Sequence, residues 1–132
     1  MELIVSCTTG RGIVQDYLDK SPTAIPVYGR HYAQEGAFEE KALELDLRFD
    51  QDSRRRAADA LVVPVGADVS RLEAFVEDGG FMVTTGQQPG LYGGPLYSIY
   101  MGLSAVRVAE SSEGKVGKPL IPVLWVASDD HD

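Results

Sequence analysis

Apolar residues recur at helical spacing in two stretches of the first half of the chain. Between residues 38 and 49, Phe, Ala, Leu and Phe are separated by charged residues, which predicts an amphipathic helix. Residues 69–76 carry a second apolar stripe of the same period. Ser70, followed three positions later by Glu73, predicts a capping box, and Gly79 predicts the end of that helix.

The pattern changes at Phe81. The run FMVTT predicts a short strand, the glycine-rich stretch 86–94 a loop, and Pro95 the first turn of a following helix. The almost continuously apolar run PLIPVLWVAS, residues 119–128, predicts a second strand that has apolar residues on both faces. The apolar positions of the helix between them predict one buried face: Leu96, Ile99, Tyr100, Leu103 and Val106.

A strand, a loop, a helix and a second buried strand define a βαβ unit of a parallel sheet. We therefore predict an α/β fold, with a mainly helical segment at residues 1–80 and the start of a parallel sheet, an incomplete domain, at residues 81–132. In such a sheet both strands end at the same edge, which is where open α/β sheets bind ligands. The glycine-rich loop and the residues after 127 should meet there.

Composition and charge narrow the function. The 132 residues are 44% hydrophobic with a formal charge of -8, so a nucleic-acid-binding surface is not expected. The one dense basic cluster, Arg54–Arg56, predicts a solvated helix face. No apolar run reaches the roughly 20 residues needed to cross a bilayer. The single Cys7 cannot form an internal disulfide, and the N-terminus lacks secretory-signal features, which favours the cytoplasm.

The glycine-rich loop is the first candidate site. Its glycines and the following helix N-terminus would present backbone N–H groups to a phosphate or carboxylate, while its glutamines would orient the ligand. No Lys follows the glycines, which disfavours a P-loop. From the residues alone, an anion cradle and a plain strand-to-helix turn both remain open. The candidate binding residues are Gly86, Gln87, Gln88, Gly90, Gly93, Gly94 and Tyr97.

The second candidate site is the sequence SDDHD at the end of the second strand. Its chemistry suits general acid or base catalysis, Mg²⁺ binding, or binding of an amine or hydroxyl substrate, and the alternative is a solvated acidic loop. One His without nearby Cys falls short of a typical zinc site, so the metal requirement stays open. The candidate catalytic residues are Asp129, Asp130, His131 and Asp132. A separate cluster, Tyr28–Tyr32 with His31, could line a pocket or simply pack.

The segments TGQQPGLYGGPLYSIYMGLSAVRVAE and PLIPVLWVASDDHD resemble the family of the bacillithiol biosynthesis cysteine-adding enzyme BshC, described as a cysteine ligase. Its members resemble this chain in a GQQ-x-GL-x-x-GPLY loop and a VPVFW-x-A-x-EDHD strand end. The resemblance implies a Rossmann-like core, a coiled coil further along, and ligation of L-cysteine to glucosaminyl-malate in the last step of bacillithiol synthesis. ATP is expected of a ligase, although no residue here indicates a nucleotide or other cofactor.

Three features depart from that family. Asp129 replaces the usual Glu, Met101 replaces a frequent Lys, and family chains continue for several hundred residues beyond Asp132. We therefore expect an N-terminal fragment that is inactive alone and that is marginally stable or associates with itself through its uncovered sheet. Two alternatives remain: a Rossmann-like nucleotide-binding or nucleotidyl-transfer module, and a truncated remnant without catalysis.

Overall fold

The computed structural model describes residues 12–88, 90 and 94–127. The chain divides into two compact units, Met1–Ala37 and Phe38–Asp132, and the division predicted after residue 80 stays a prediction. The first unit contains α1 (Ile13–Leu18), a 3₁₀ turn (Pro22–Ala24) and α2 (Ile25–Tyr28). The second contains α3 (Ala37–Arg48, which begins at the boundary), α4 (Gln51–Asp59), α5 (Ser70–Glu77), β1 (Phe81–Gln87), α6 (Leu96–Val116) and β2 (Leu120–Val126).

The first unit is organised by an aromatic cluster around His31. The imidazole is buried, and its ring centre lies 4.5 Å from that of Tyr32 and 4.7 Å from that of Tyr17. Its Nδ1 accepts a hydrogen bond from the Ala33 amide at 3.1 Å, and the ring of Tyr28 packs on Tyr17. Of the two readings left open for this cluster, the contacts support packing.

The second unit is built on two parallel strands. β1 pairs with β2 in register from Phe81 opposite Leu120 to Gln87 opposite Val126, and α6 connects them. The predicted βαβ unit and its parallel pairing are confirmed. In the described part of the chain, the sheet has these two strands.

Helices cover both faces of the sheet near the amino ends of the strands. On one face, Ala42 of α3 and Ala109 of α6 pack against Phe81 and Leu120. On the other face, Phe75 and Val76 of α5 pack against Ile121. Cover is incomplete along β2, because Leu120 and Ile121 are buried whereas Leu124, Trp125 and Val126 are exposed. The residues on both faces of β2 are apolar as predicted, but only its first half is buried.

The buried face of α6 differs from the prediction. The apolar stripe expected to be buried is exposed: Leu96, Ile99, Tyr100, Leu103 and Val106. The face that meets the sheet carries small residues instead: Ser98, Ala105, Ala109 and Ser112. At 3.6 residues per turn the two stripes lie on roughly opposite sides of the helix. Small side chains let the helix axis approach the sheet closely, so the buried side is selected by size and not by hydrophobicity alone.

The prediction that Arg54–Arg56 form a solvated helix face is wrong for Arg54, which is buried. Arg54 was expected on a solvated helix face, but its side chain is 8% exposed. Its guanidinium donates to the carbonyl oxygens of Gly80 at 2.8 Å and Phe49 at 2.6 Å and to Asp46 Oδ1 at 2.9 Å. The guanidinium also lies 5.3 Å from the centre of the Phe81 ring. A charge can be buried here because its donors are used, whereas Arg55 and Arg56 remain exposed as predicted.

The helix boundaries follow local capping chemistry. α3 forms as predicted, with Ala42 buried and Leu45 half-buried. The predicted capping box at Ser70 is wrong, because Ser70 is already helical and accepts no cap bond from Glu73. The Asp68 carboxylate, positioned before the helix, accepts from the Ser70 amide at 3.0 Å and its hydroxyl at 2.6 Å.

Replacing Arg54 should test how far the second unit depends on this side chain. We expect Arg54→Ala to lower the free energy of unfolding by about 3 kcal/mol, because two buried carbonyls lose a charged donor. Arg55→Ala removes an exposed pair with Glu77 and should cost less than about 1 kcal/mol. Equilibrium urea unfolding measures both, and equal losses in the two variants would contradict the assignment.

Acid should destabilise the unit partly through Asp46. The hydrogen bond from Lys118, then the Lys118 charge and Arg54, hold the pKa of Asp46 below its usual value despite desolvation. A lowered folded-state pKa contributes stability above about pH 4 that is lost as pH falls through the folded value. We expect Asp46→Asn to be less stable than wild type at neutral pH and to lose less stability on acidification. Parallel pH profiles of urea unfolding would refute this, with exposed Asp59→Asn as the control for net charge.

Candidate functional site

The carboxyl ends of the two strands lie side by side. Gln87 is paired with Val126, and the Ala127 amide donates to the Gln87 carbonyl oxygen at 3.1 Å. The glycine-rich loop leaves β1 at this point, and the sequence SDDHD follows Ala127 along the chain. The two strand ends therefore lie next to each other, and one candidate motif follows each of them along the chain.

Several predicted residues lie outside the described part of the chain. These are Gly93 of the loop, Cys7, and the four candidate catalytic residues Asp129, Asp130, His131 and Asp132. Their proposed roles stay predictions.

Two residues assigned to the loop belong to the strand. β1 was predicted to end at Thr85, but it continues through Gly86 and Gln87, which pair with Trp125 and Val126. A Cβ at Gly86 would lie 3.5 Å from Trp125 Cβ, so this glycine is an ordinary neighbour of the indole. The Gln87 side chain turns back and accepts from the Gln88 amide at 2.8 Å.

Two other glycines allow a close crossing of the backbone. A Cβ built on Gly90 would lie 2.4 Å from Gly94 Cα, which is too close for any side chain without movement. Gly94 has φ of 81°, in the left-handed region that favours glycine. The loop needs glycine at both positions for these steric reasons, which a plain turn of mixed composition would not require.

The N-terminus of α6 begins where this crossing ends. Pro95 is the N-cap, one position before its predicted place in the helix, and it makes no side-chain cap hydrogen bond. The first amides of a helix have no acceptor within it, and the helix dipole places partial positive charge there. Tyr97 lies in this first turn with its side chain exposed. These groups can bind an anion without any cationic side chain.

A buried serine at this helix end was missed by the sequence interpretation. Ser98 is 8% exposed, and its Oγ has no hydrogen-bond partner among the residues that the structure describes. A Cβ built on Gly94 would lie 3.1 Å from that oxygen, so the hydroxyl is directed toward the loop crossing. An unpaired buried hydroxyl costs about 1–3 kcal/mol. Its position three residues after Pro95 was the available signal, because that places it in the first helical turn.

The charge pattern around the loop is neutral. No Asp, Glu, Lys, Arg or His occurs from residue 79 to residue 106. Within the described ranges, no group of three or more His, Cys, Asp and Glu side chains could hold a metal ion. Among the described residues, the donors on the loop side of this edge are therefore neutral amides and a hydroxyl, assisted by the helix dipole.

A large groove lies elsewhere in the described part of the second unit. A groove of about 780 Å³ runs along β2 beside the connection from α4 to α5, between residues 60–64 and 121–126. Its lining is mainly apolar, with Asp68 and Arg71 among the few polar residues. We place the candidate site at the loop instead, because polar groups converge there.

A parallel βαβ unit whose glycine-rich loop follows the carboxyl end of its first strand is typical of a Rossmann-like α/β domain. Over residues 1–132 the chain matches the family model described as Bacillithiol biosynthesis BshC, N-terminal Rossmann-like domain. The chain therefore belongs to the BshC family, as its loop and strand-end motifs predicted. None of the helices described here combines the length and apolar character needed to span a membrane.

Three curated relatives, each named "Putative cysteine ligase BshC", illustrate the similarity. The Heliobacterium modesticaldum protein is 41% identical over 66% of this chain and 14% of its own length. The Bacillus cytotoxicus protein is 30% identical over 92% of this chain and 23% of its own length. The Bacillus thuringiensis protein is 28% identical over 100% of this chain and 25% of its own length. The chain thus spans a quarter or less of each of these relatives.

Replacing a glycine by alanine should have opposite effects on stability at the loop crossing and inside α6. We expect Gly90→Ala to destabilise the unit by about 1–3 kcal/mol, since backbone must move to admit the methyl group. Gly102→Ala, inside α6 with open space around it, should stabilise by up to about 1 kcal/mol. Thermal unfolding of both variants tests this expectation, which fails if Gly90→Ala is as stable as Gly102→Ala.

Proposed function

We propose that this chain is the N-terminal part of a cytoplasmic ligase that joins L-cysteine to the amino group of glucosaminyl-malate in the last step of bacillithiol synthesis. Family membership supports the ligase class, because the matched relatives carry that name. The single structural observation that carries the proposal is the adjacency of Gln87 and Ala127, from which the two candidate motifs extend.

In this proposal the loop binds an anionic group of a substrate. Gly90 and Gly94 allow the close backbone crossing before the helix N-terminus, and the amides of the first turn of α6 supply donors. Gln87 and Gln88 lie at the end of β1 and border the same edge, with Tyr97 on the exposed side. Gly86 supports the strand pairing through its partner Trp125, and we assign Gly93 to the same binding role from the sequence alone.

The residues after β2 supply the proton chemistry in this proposal. Amide formation joins the neutral amine nitrogen to the carboxyl carbon of cysteine, which loses one oxygen, as water overall, while the attacking nitrogen gives a proton to a base. We assign that transfer to His131, with Asp130 and Asp132 orienting the imidazole or binding the amine. Asp129 adds negative charge that favours a cationic amine substrate.

The substrates in this proposal are small molecules, and the net charge of -8 disfavours nucleic acid as a partner. The exposed apolar stripe of α6 and the uncovered half of β2 favour association with further protein surface, which includes a second copy. For the same reason we propose that residues 1–132 alone are inactive. Any nucleotide would bind with the help of groups beyond this neutral loop.

Replacing His131 tests the proposed function. We expect His131→Ala in the full-length protein to abolish bacillithiol accumulation in cells that lack the native enzyme, because the amine keeps its proton. Thiol labelling and chromatography measure the product. Lys115→Ala, on the exposed last turn of α6, should accumulate bacillithiol normally at equal protein level. Unchanged thiol levels in the His131 variant would refute the assignment.

A further inference from the structure

We propose that Ser98 Oγ donates a hydrogen bond to a carboxylate of the substrate, bound at the N-terminus of α6. This inference rests on the proposed role of the loop as an anion site and deepens it by naming a binding residue and a ligand class. It makes Ser98 a specificity-determining residue, although neither candidate motif was interpreted as including it.

The Ser98 hydroxyl is buried and unpaired in the described part of the chain. Ser98 is 8% exposed, and within the described ranges its Oγ has no hydrogen-bond partner, whereas its backbone amide donates to the Pro95 carbonyl at 2.8 Å. Buried hydroxyls are normally paired, so an unpaired one needs a reason. A serine that packed only for its size could be alanine, as Ala105 and Ala109 are on the same face of α6.

The Ser98 hydroxyl is directed toward Gly94. The distance of 3.1 Å from Oγ to a Cβ position on Gly94 places the hydroxyl against the left-handed glycine that precedes the helix. Gly90 lies against the same glycine, since a Cβ built on Gly90 would lie 2.4 Å from Gly94 Cα. The hydroxyl and the first-turn amides, which no side chain caps, are therefore donors at one helix end.

The lack of charged side chains near the helix N-terminus favours a ligand of low charge. A polyphosphate carries several negative charges and is normally bound with Lys, Arg or Mg²⁺ in addition to backbone amides. From residue 79 to residue 106 the chain has no charged side chain, and three aspartates follow β2. Neutral donors and a helix dipole match the single charge of a carboxylate better. The carboxylates of a malate conjugate are of this class.

The test uses calorimetry on the full-length protein with glucosaminyl-malate, its dimethyl ester and inorganic pyrophosphate. We expect Ser98→Ala to weaken binding of the acid about tenfold, the usual effect of one hydrogen bond to a charged group. The ester should bind wild type and variant equally. Ser98→Thr, which keeps the hydroxyl, should retain binding of the acid.

Stability distinguishes a ligand-binding hydroxyl from a structural one. Because the hydroxyl is unpaired in the protein, Ser98→Ala should keep or raise the midpoint of thermal unfolding. Ser112→Ala is the matched control, since Ser112 is buried on the same face about 21 Å along the helix and should not change binding. A lowered midpoint in Ser98→Ala would overturn the inference.

The remaining outcomes separate this inference from the proposed function. Wild-type affinity for the acid in Ser98→Ala would overturn the role of Ser98 and leave the loop as an anion site. Weakened binding of pyrophosphate, with unchanged binding of the acid, would overturn the carboxylate class. Failure of the wild-type protein to bind any of the probes would overturn the proposed anion site itself.

Discussion

The buried Arg54 guanidinium is the interaction on which the second unit depends. It binds the carbonyl of Gly80, the residue that leads into β1, and the Asp46 carboxylate of α3. That carboxylate also accepts from Lys118 at 2.6 Å, just before β2 begins. Three charged side chains therefore link two helices to the starts of both strands. The same two strands run in register from this end to the pairing of Gln87 with Val126 at the far end.

Much of this architecture could be predicted from local patterns. The change from helical to strand periodicity at Phe81, the glycines after it and the apolar run from Pro119 indicated a parallel βαβ unit, which the pairing confirms. The amphipathic helix at residues 38–49 was equally readable, because its period depends only on neighbours along the chain. The family was readable from the loop and strand-end motifs.

Other features depend on tertiary contacts that periodicity does not encode. The stripe that begins at Leu96 marks α6 as amphipathic, but the sheet selects the opposite face, where Ala109 permits close approach. Arg54 looks solvated in a row of three arginines, and only the chain returning at Gly80 provides its acceptors. Ser98 stands out because its hydroxyl is buried without a partner among the described residues, and this burial arises only when α6 packs.

The pairing of Gly86 with Trp125 also gives the chain an optical property. Trp125 is the only tryptophan among the 132 residues, and its indole lies against a glycine one residue before the end of β1. The indole is 69% exposed, so its emission responds to the polarity of its surroundings. Tryptophan fluorescence from this chain therefore originates beside the strand ends. A shift of its emission wavelength reports a change of polarity at that edge without an added label.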